Sequence, residues 1–125
     1  MAKWQNDDVL DAALDKIATA NILTVCSAQP TTRAEAITTY KLADIAVTPG
    51  DGNGDFTVAN GDTSGRKLTV AAQADVPVDA SGDATHIALC DGTDLLYVTT
   101  CTTQTLTAGN TVTVPTWDIE IADVS

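Results

Sequence analysis

Few side chains in this sequence have the type and spacing that catalysis requires. His86 is the only histidine, and neither a cysteine nor a serine stands at a diagnostic spacing from it, so a nucleophilic triad cannot be argued. Ser64 lies in Thr-Ser-Gly-Arg rather than in the Gly-x-Ser-x-Gly of a nucleophile elbow. The glycines of loop 50–54 do not precede a helix that opens with Lys-Ser or Lys-Thr, which excludes a phosphate-binding loop. We therefore predict no catalytic residue, no cofactor and no enzymatic activity.

The loop Asp-Gly-Asn-Gly-Asp from Asp51 to Asp55 is the best candidate for a metal site. It places oxygen ligands at alternate positions, with Asp62 further along the chain, in partial imitation of a calcium loop. Phe56 stands where such a loop needs glycine, and the glutamate that should close the loop is missing. The pattern favours an acidic turn over a calcium site, and we predict no bound metal.

Three cysteines, Cys26, Cys90 and Cys101, are an odd number and so cannot make a closed disulfide framework. The sequence has no Cys-x-x-Cys pair, which excludes a zinc ribbon in practice. We expect free, half-buried thiols in a reducing compartment.

Composition narrows the class of protein further. The chain has 125 residues, which fits one domain, and its formal net charge of −11 repels nucleic acid. No apolar run approaches the ~18 residues of a membrane span, and the first residues lack the apolar core of a signal peptide. We expect a soluble protein made inside the cell, with neither nucleic acid nor a membrane as its partner.

The apolar spacing of Val9, Leu10, Ala13, Leu14 and Ile17 predicts an amphipathic helix over residues 7–20. The polar triplet at residues 6–8 can cap its amino end and complements the helix dipole. The helix either covers one face of a sheet or docks onto another subunit. The first option is favoured because its apolar stripe is only one face wide.

The remainder of the chain has the pattern of short antiparallel strands separated by turns, most clearly over residues 85–121. With Gly92 and Thr93 as the loop of a hairpin, Leu89 should face Leu96 and Ile87 should face Val98. That register places Cys90 and Cys101 on the opposite face. They lie several residue pairs apart along the hairpin, so the distance between them is too long for a disulfide. A single strand is predicted over residues 66–74, an edge or bulge near Pro77, and a kink at Pro115.

These elements predict a mainly β fold, an antiparallel β-sandwich or partly open barrel with one N-terminal α-helix. The whole chain, 1–125, is predicted to be a single domain. Residues 1–21 form its N-terminal helical segment and residues 22–125 its β-sandwich.

Six segments of the sequence carry a family resemblance: residues 4–14, 26–32, 61–67, 79–92, 95–100 and 106–121. Through them, nearly the whole chain resembles the small virion proteins of tailed bacteriophages. It implies a protein located in the virion, made in the host cytoplasm and in some cases decorating the capsid. No functional residue is carried over from it.

From this resemblance we expect a non-enzymatic capsid decoration or stabilisation protein that binds the outer head surface as a homo-oligomer. Its partner would be the major capsid protein or another virion protein, and the oligomer order stays open, a trimer being one option. The predicted contact is the amino-terminal segment with Trp4, Val9 and Leu10, because aromatic and apolar anchors dominate interfaces.

Two alternatives are retained. One is a head or tail fibre component, or another self-assembling β subunit, whose edge strands pair between chains. The other is a carbohydrate-binding or glycan-hydrolysing module, which is disfavoured because the chain has only two tryptophans and no evident aromatic platform.

Overall fold

The computed structural model of the chain describes residues 6–62 and 64–121. Within them lie one α-helix, α1 (Asp7–Ile17), a π-helical turn (Glu35–Thr39) and nine strands. The strands are β1 (Ile22–Cys26), β2 (Lys41–Ala46), β3 (Phe56–Asn60), β4 (Arg66–Val70), β5 (Gln73–Pro77), β6 (Gly82–Cys90), β7 (Leu95–Leu106), β8 (Thr111–Val114) and β9 (Trp117–Ile121). The predicted mainly β, antiparallel fold with one N-terminal helix is confirmed.

Helix α1 begins where its sequence predicts. The Asn6 side chain accepts a hydrogen bond from the Asp8 amide at 2.8 Å, which satisfies one of the free donors at the helix start. The helix ends at Ile17, three residues before the predicted end. The amides of Thr19 and Ala20 there bond to carbonyls three residues back, in a tightened last turn.

The strands form three hydrogen-bonded groups. A four-stranded sheet has the order β2-β1-β6-β7, a three-stranded sheet has the order β3-β4-β9, and β5 pairs with β8. All of these pairs are antiparallel. An isolated antiparallel bridge between Ala43 and Val78 joins the β5–β8 pair to β2. Strands β7 and β9 are therefore the ends of two separate sheets.

The two larger sheets pack their apolar faces against each other and against α1. Strand alternation sends every second side chain inward, and the inward set forms one continuous core. Its fully buried members include Leu14 of the helix, Leu23 and Leu89 of the four-stranded sheet, and Phe56 and Leu68 of the three-stranded sheet. The arrangement is a partly open sandwich with the helix on one side.

A second, smaller core lies on the outer face of the four-stranded sheet, beneath the π-helical turn. Cys26, Ala88 and Cys90 of the sheet pack with Ala36 of the turn, and all four are buried. The Thr32 hydroxyl accepts a hydrogen bond from the Glu35 amide at 3.2 Å, at the start of this turn.

The predicted register of the β6–β7 hairpin is wrong by one residue. Leu89 lies opposite Tyr97 and Ile87 lies opposite Thr99, because the register shifts between Leu89 and Cys90. Tyr97 consequently packs against the main core, whereas Val98 packs against the small outer core.

The placement of the cysteines follows from this hairpin. Cys90 lies in the small outer core, but Cys101 packs against the main core, so the prediction that they share a face is wrong. A second register shift, between Ala84 and His86, leaves Cys101 and the two residues after it without partners in the β6–β7 ladder. The described cysteines are all free, as expected, but Cys26 and Cys90 are fully buried rather than half-buried.

Proline and turn residues divide the remaining strands. The predicted strand over residues 66–74 is two strands, since β4 ends at Val70 and β5 begins at Gln73. The predicted irregularity near Pro77 is confirmed by a register shift between Gln73 and Val76. At Pro115 the chain leaves β8 and enters β9 in another sheet, so the predicted kink is a crossing between sheets.

We expect Leu14→Ala to lower the free energy of unfolding by about 2–5 kcal/mol, because it opens a cavity where the helix meets both sheets. Val9→Ala, on the same helix but 62% exposed, is the control and should change stability by less than about 0.5 kcal/mol. Urea unfolding of the two variants measures the difference. Equal effects would show that α1 is not held by this buried stripe.

Candidate functional site

An open groove of about 520 Å³ lies where the sandwich is not closed. One wall is β7, and the other consists of β8, the break at Pro115 and the start of β9. The apolar floor includes Val25, Ile87 and Val112, while threonines and Gln104 form much of the rim. The groove exists because β7 and β9 are the ends of different sheets that do not hydrogen-bond to each other.

An aromatic pair stands beside this groove. The rings of Tyr97 and Trp117 stack with their centroids 6.0 Å apart and an interplanar angle of 29°. The indole Nε1 of Trp117 is buried and has no hydrogen-bond partner among the residues that the structure describes. Sequence reasoning missed this pair, because only the shifted hairpin register turns Tyr97 inward.

The groove walls belong to the longest uncharged stretch of the chain. Residues 95–117 contain no Asp, Glu, Lys or Arg, although 18% of the residues of the chain are charged and its net charge is −11. Among the residues that the structure describes, Asp118 is the one charged residue that lines the groove. This signal was present in the sequence, but only the fold shows that the uncharged residues lie on both sides of one groove.

The acidic loop is held by hydrogen bonds to the chain itself. Asp55 accepts from the Thr48 amide at 2.6 Å and from the Gln73 side chain at 3.0 Å. Asp51 accepts from the Val58 amide at 2.9 Å, and Asp62 pairs with Lys67 at 2.7 Å. Over residues 6–62 and 64–121, the structure contains no group of three or more His, Cys, Asp or Glu side chains placed to hold a metal.

His86 lies on β6 with its ring half-buried. Its Nδ1 atom lies 2.8 Å from the hydroxyl of Thr85, the preceding residue. The backbone of His86 pairs with Cys26 on one side and Thr100 on the other. Its hydrogen bond is thus local to one strand.

Helix α1 carries two of the predicted contact residues, Val9 and Leu10, but places them on different faces. Leu10 is only 5% exposed and is packed inside the chain, so its side chain offers little surface to a partner. Val9 is 62% exposed and shares the outer face of α1 with the exposed Ala12 and Ala13. We name Val9, Ala12 and Ala13 the α1 stripe. Trp4 lies outside the described residues.

Ion pairs fix the orientation of α1. Asp11 binds the Arg66 guanidinium through both carboxylate oxygens, at 2.7 and 3.3 Å, and Arg66 also donates to Asn60 at 2.7 Å. Lys16 lies 3.7 Å from Asp91 at the β6–β7 turn. The helix is thereby tied to both larger sheets with the α1 stripe facing away from them.

Two carboxylates share one lysine at the β2 end of the large sheet. Lys41 Nζ lies 3.5 Å from Asp44 and 3.2 Å from Asp79. Burial and a hydrogen bond to Asp79 raise the pKa of Asp44, while the same bond and Lys41 lower the pKa of Asp79. Asp44 is therefore the carboxyl that takes up a proton first as the pH falls.

The three thiols differ in exposure. Cys26 and Cys90 are fully buried, and burial raises the pKa of Cys90 to about 11 and that of Cys26 above its ordinary value. Burial also raises the pKa of Cys101, but this thiol is only half-buried and lines the groove.

Comparison with known proteins finds no matching protein-family model, no matching curated protein and no matching solved structure. In the described part of the chain, no helix combines the length and the apolar character needed to span a membrane.

We expect a single thiol of the dilute native protein to react quickly with Ellman's reagent, and that thiol to be Cys101. Cys26 and Cys90 should react only on unfolding, because they are buried and Cys90 has a pKa of about 11. The absorbance of released thiolate measures the count. Cys101→Ser should remove the fast phase, and a fast phase that persists in this variant would contradict the assignment.

We expect Asp44→Asn to stabilise the protein at neutral pH by less than about 1 kcal/mol, because it removes a carboxylate that the fold protonates more readily than the unfolded chain does. A raised pKa means that this group favours folding at low pH and that its contribution is lost as the pH rises through the folded pKa. The gain should therefore vanish towards the ordinary aspartate pKa of about 4.

Thermal unfolding between neutral and acidic pH tests this. Asp79→Asn is the matched control and should lower stability at neutral pH, because the pKa of Asp79 is lowered in the fold. A pH-independent gain in Asp44→Asn would contradict the assignment of the proton to Asp44.

Proposed function

We propose that this chain is a non-enzymatic structural protein of a tailed-bacteriophage virion that decorates and stabilises the outer surface of the head. Its partner would be the major capsid protein, to which it binds as a homo-oligomer. The proposal is supported by the resemblance of the turn and strand sequences and by an exposed apolar surface on α1. The site of action would be the virion, after synthesis in the host cytoplasm.

The division of α1 into two apolar faces is the observation that carries the proposal. Leu10 and Leu14 hold the helix in the core, so the α1 stripe is not needed for folding. Val9, at 62% exposure, is the one large hydrophobic residue that the described chain leaves exposed. An apolar side chain presented on a helix that ion pairs hold in place is a preorganised contact for a partner surface.

A contact of this size is weak by itself. The stripe consists of one valine and two alanines, and apolar burial contributes only about 25 cal/mol per Å². Binding as an oligomer to a lattice of identical capsomers raises the effective affinity without enlarging any single contact. The acidic surface elsewhere would remain in solvent and keep the decorated particles apart.

A self-assembling β subunit, such as a fibre component, is the second candidate. The observation that favours it is the outer edge of β7, which pairs with no other described strand, since exposed strand edges can pair between chains. The two candidates differ in solution, because a fibre subunit should polymerise without heads, whereas a decoration protein should remain a small soluble oligomer.

We expect the chain to co-sediment with purified empty heads of the phage that encodes it, at a fixed ratio to the major capsid protein. Val9→Asp should weaken this binding at least tenfold, because it buries a charge in the contact. Thr57→Asp adds the same charge at an exposed position of β3 and is the control, which should bind as the parent does.

Two results would contradict the proposal. Failure of the parent chain to bind heads would remove the decoration function itself. If Val9→Asp binds heads as the parent does, and circular dichroism shows a native fold, then α1 is not the contact.

A further inference from the structure

We propose that the outer edge of β7 pairs with the β7 edge of a second copy of this chain, antiparallel and about a twofold axis. The pair would join the two four-stranded sheets into one continuous sheet. This deepens the homo-oligomer part of the proposed function and rests on it, but the contact itself needs no head and can be tested without one.

The length and composition of β7 make it an unusual edge. It has 12 residues and pairs with β6 on one side, while its other side has no strand partner among the described residues. Exposed edges are normally guarded by charged side chains, by proline or by shortness. Strand β9 carries Asp118 and Glu120, and β3 has only 5 residues. Strand β7 has neither a charged residue nor a proline.

A register shift does limit the regular part of this edge. Between Ala84 and His86 of β6, the facing residues of β7 leave the ladder, which then resumes with Thr100 opposite His86. The regular stretch from Tyr97 to Thr100 therefore offers the straight edge on which pairing would begin, with the ladder of β6 already holding it extended.

The charge distribution selects a second copy as the occupant. Each chain carries a net charge of −11, so two copies repel each other on most approaches. Residues 95–117 are uncharged and supply most of both walls of the groove, so two copies that meet on this face each bring a single groove carboxylate, Asp118. A twofold contact places the same patch on both sides, and an uncharged, hydroxyl-rich edge is complementary to itself.

The groove beside β7 is an apolar surface that the second strand would bury. A strand added beside β7 would lie over the opening between β7 and β8, above the apolar floor that includes Val25 and Ile87. A twofold axis perpendicular to the sheet leaves the inner face of both sheets on the same side. The added strand would therefore point its own Tyr97 and Thr99 inward, as β7 of the first copy does. The seam of each sandwich would thus be closed by the other copy.

Sedimentation equilibrium of the full chain, without heads, tests the proposal. The parent should show a concentration-dependent mass of twice the chain. Thr100→Lys places a charge on the exposed part of the edge and should raise the dissociation constant at least tenfold. Thr57→Lys makes the same change on β3, away from the groove, and should leave the dimer intact.

Reaction of Cys101 with Ellman's reagent gives a second measurement that does not depend on the variant folding. Cys101 lies on the groove wall of β7, so in the parent its reaction should slow as the protein concentration rises. In a folded Thr100→Lys variant the rate should be independent of concentration.

A parent that is monomeric at all concentrations, a mass of three chains, or equal dissociation of the Thr100→Lys and Thr57→Lys variants would overturn the proposal. A Cys101 rate that does not change with concentration in the parent would do the same. Because head binding is assayed separately through Val9, a chain that dimerises but ignores heads would refute the decoration function and leave this pairing standing.

Discussion

Burial of Leu23 and Leu89 of one sheet against Phe56 and Leu68 of the other is the contact on which the remaining structure depends. These side chains are fully buried, and they come from strands far apart in the sequence. Phe56 is the aromatic residue among the fully buried members of this core, so the gap between the sheets is filled mainly by close packing of aliphatic side chains. Helix α1 closes one side of this gap with Leu14.

The other side of the sandwich is left open, and the surface chemistry follows from that asymmetry. On the closed side, the ion pair between Asp11 and Arg66 holds the helix against the three-stranded sheet, and Val9 on its outer face stays exposed. On the open side, β7 and β9 end their sheets without meeting, and the groove between them is apolar and almost uncharged. The groove is thus almost free of charge in a chain of net charge −11, whereas α1 carries four aspartates, of which Asp8 and Asp15 are exposed near the α1 stripe.

Several elements were predictable because their causes are local. The helix start follows from the capping side chain of Asn6 and from the spacing of the apolar residues after it. The kink at Pro115 follows from a residue that cannot donate a ladder hydrogen bond, although the crossing to another sheet did not follow from it. The turn at the acidic loop was predictable from its Asp, Gly and Asn residues, but the bonds that Asp55 accepts from Thr48 and Gln73 were not. Its hydrogen-bond partners come from three different segments, which no local pattern could identify.

The sequence by itself determined the mainly β class, the N-terminal helix and the absence of charge over residues 95–117, because composition and periodicity act over short distances. Tertiary structure decided the register of the β6–β7 hairpin, which one bulge shifts so that Tyr97 rather than Val98 faces the main core beside Trp117. It also decided that Leu10 is buried while Val9 is exposed. Both outcomes depend on which side chains fill a space shared by distant strands, and that space exists only when the two sheets have packed.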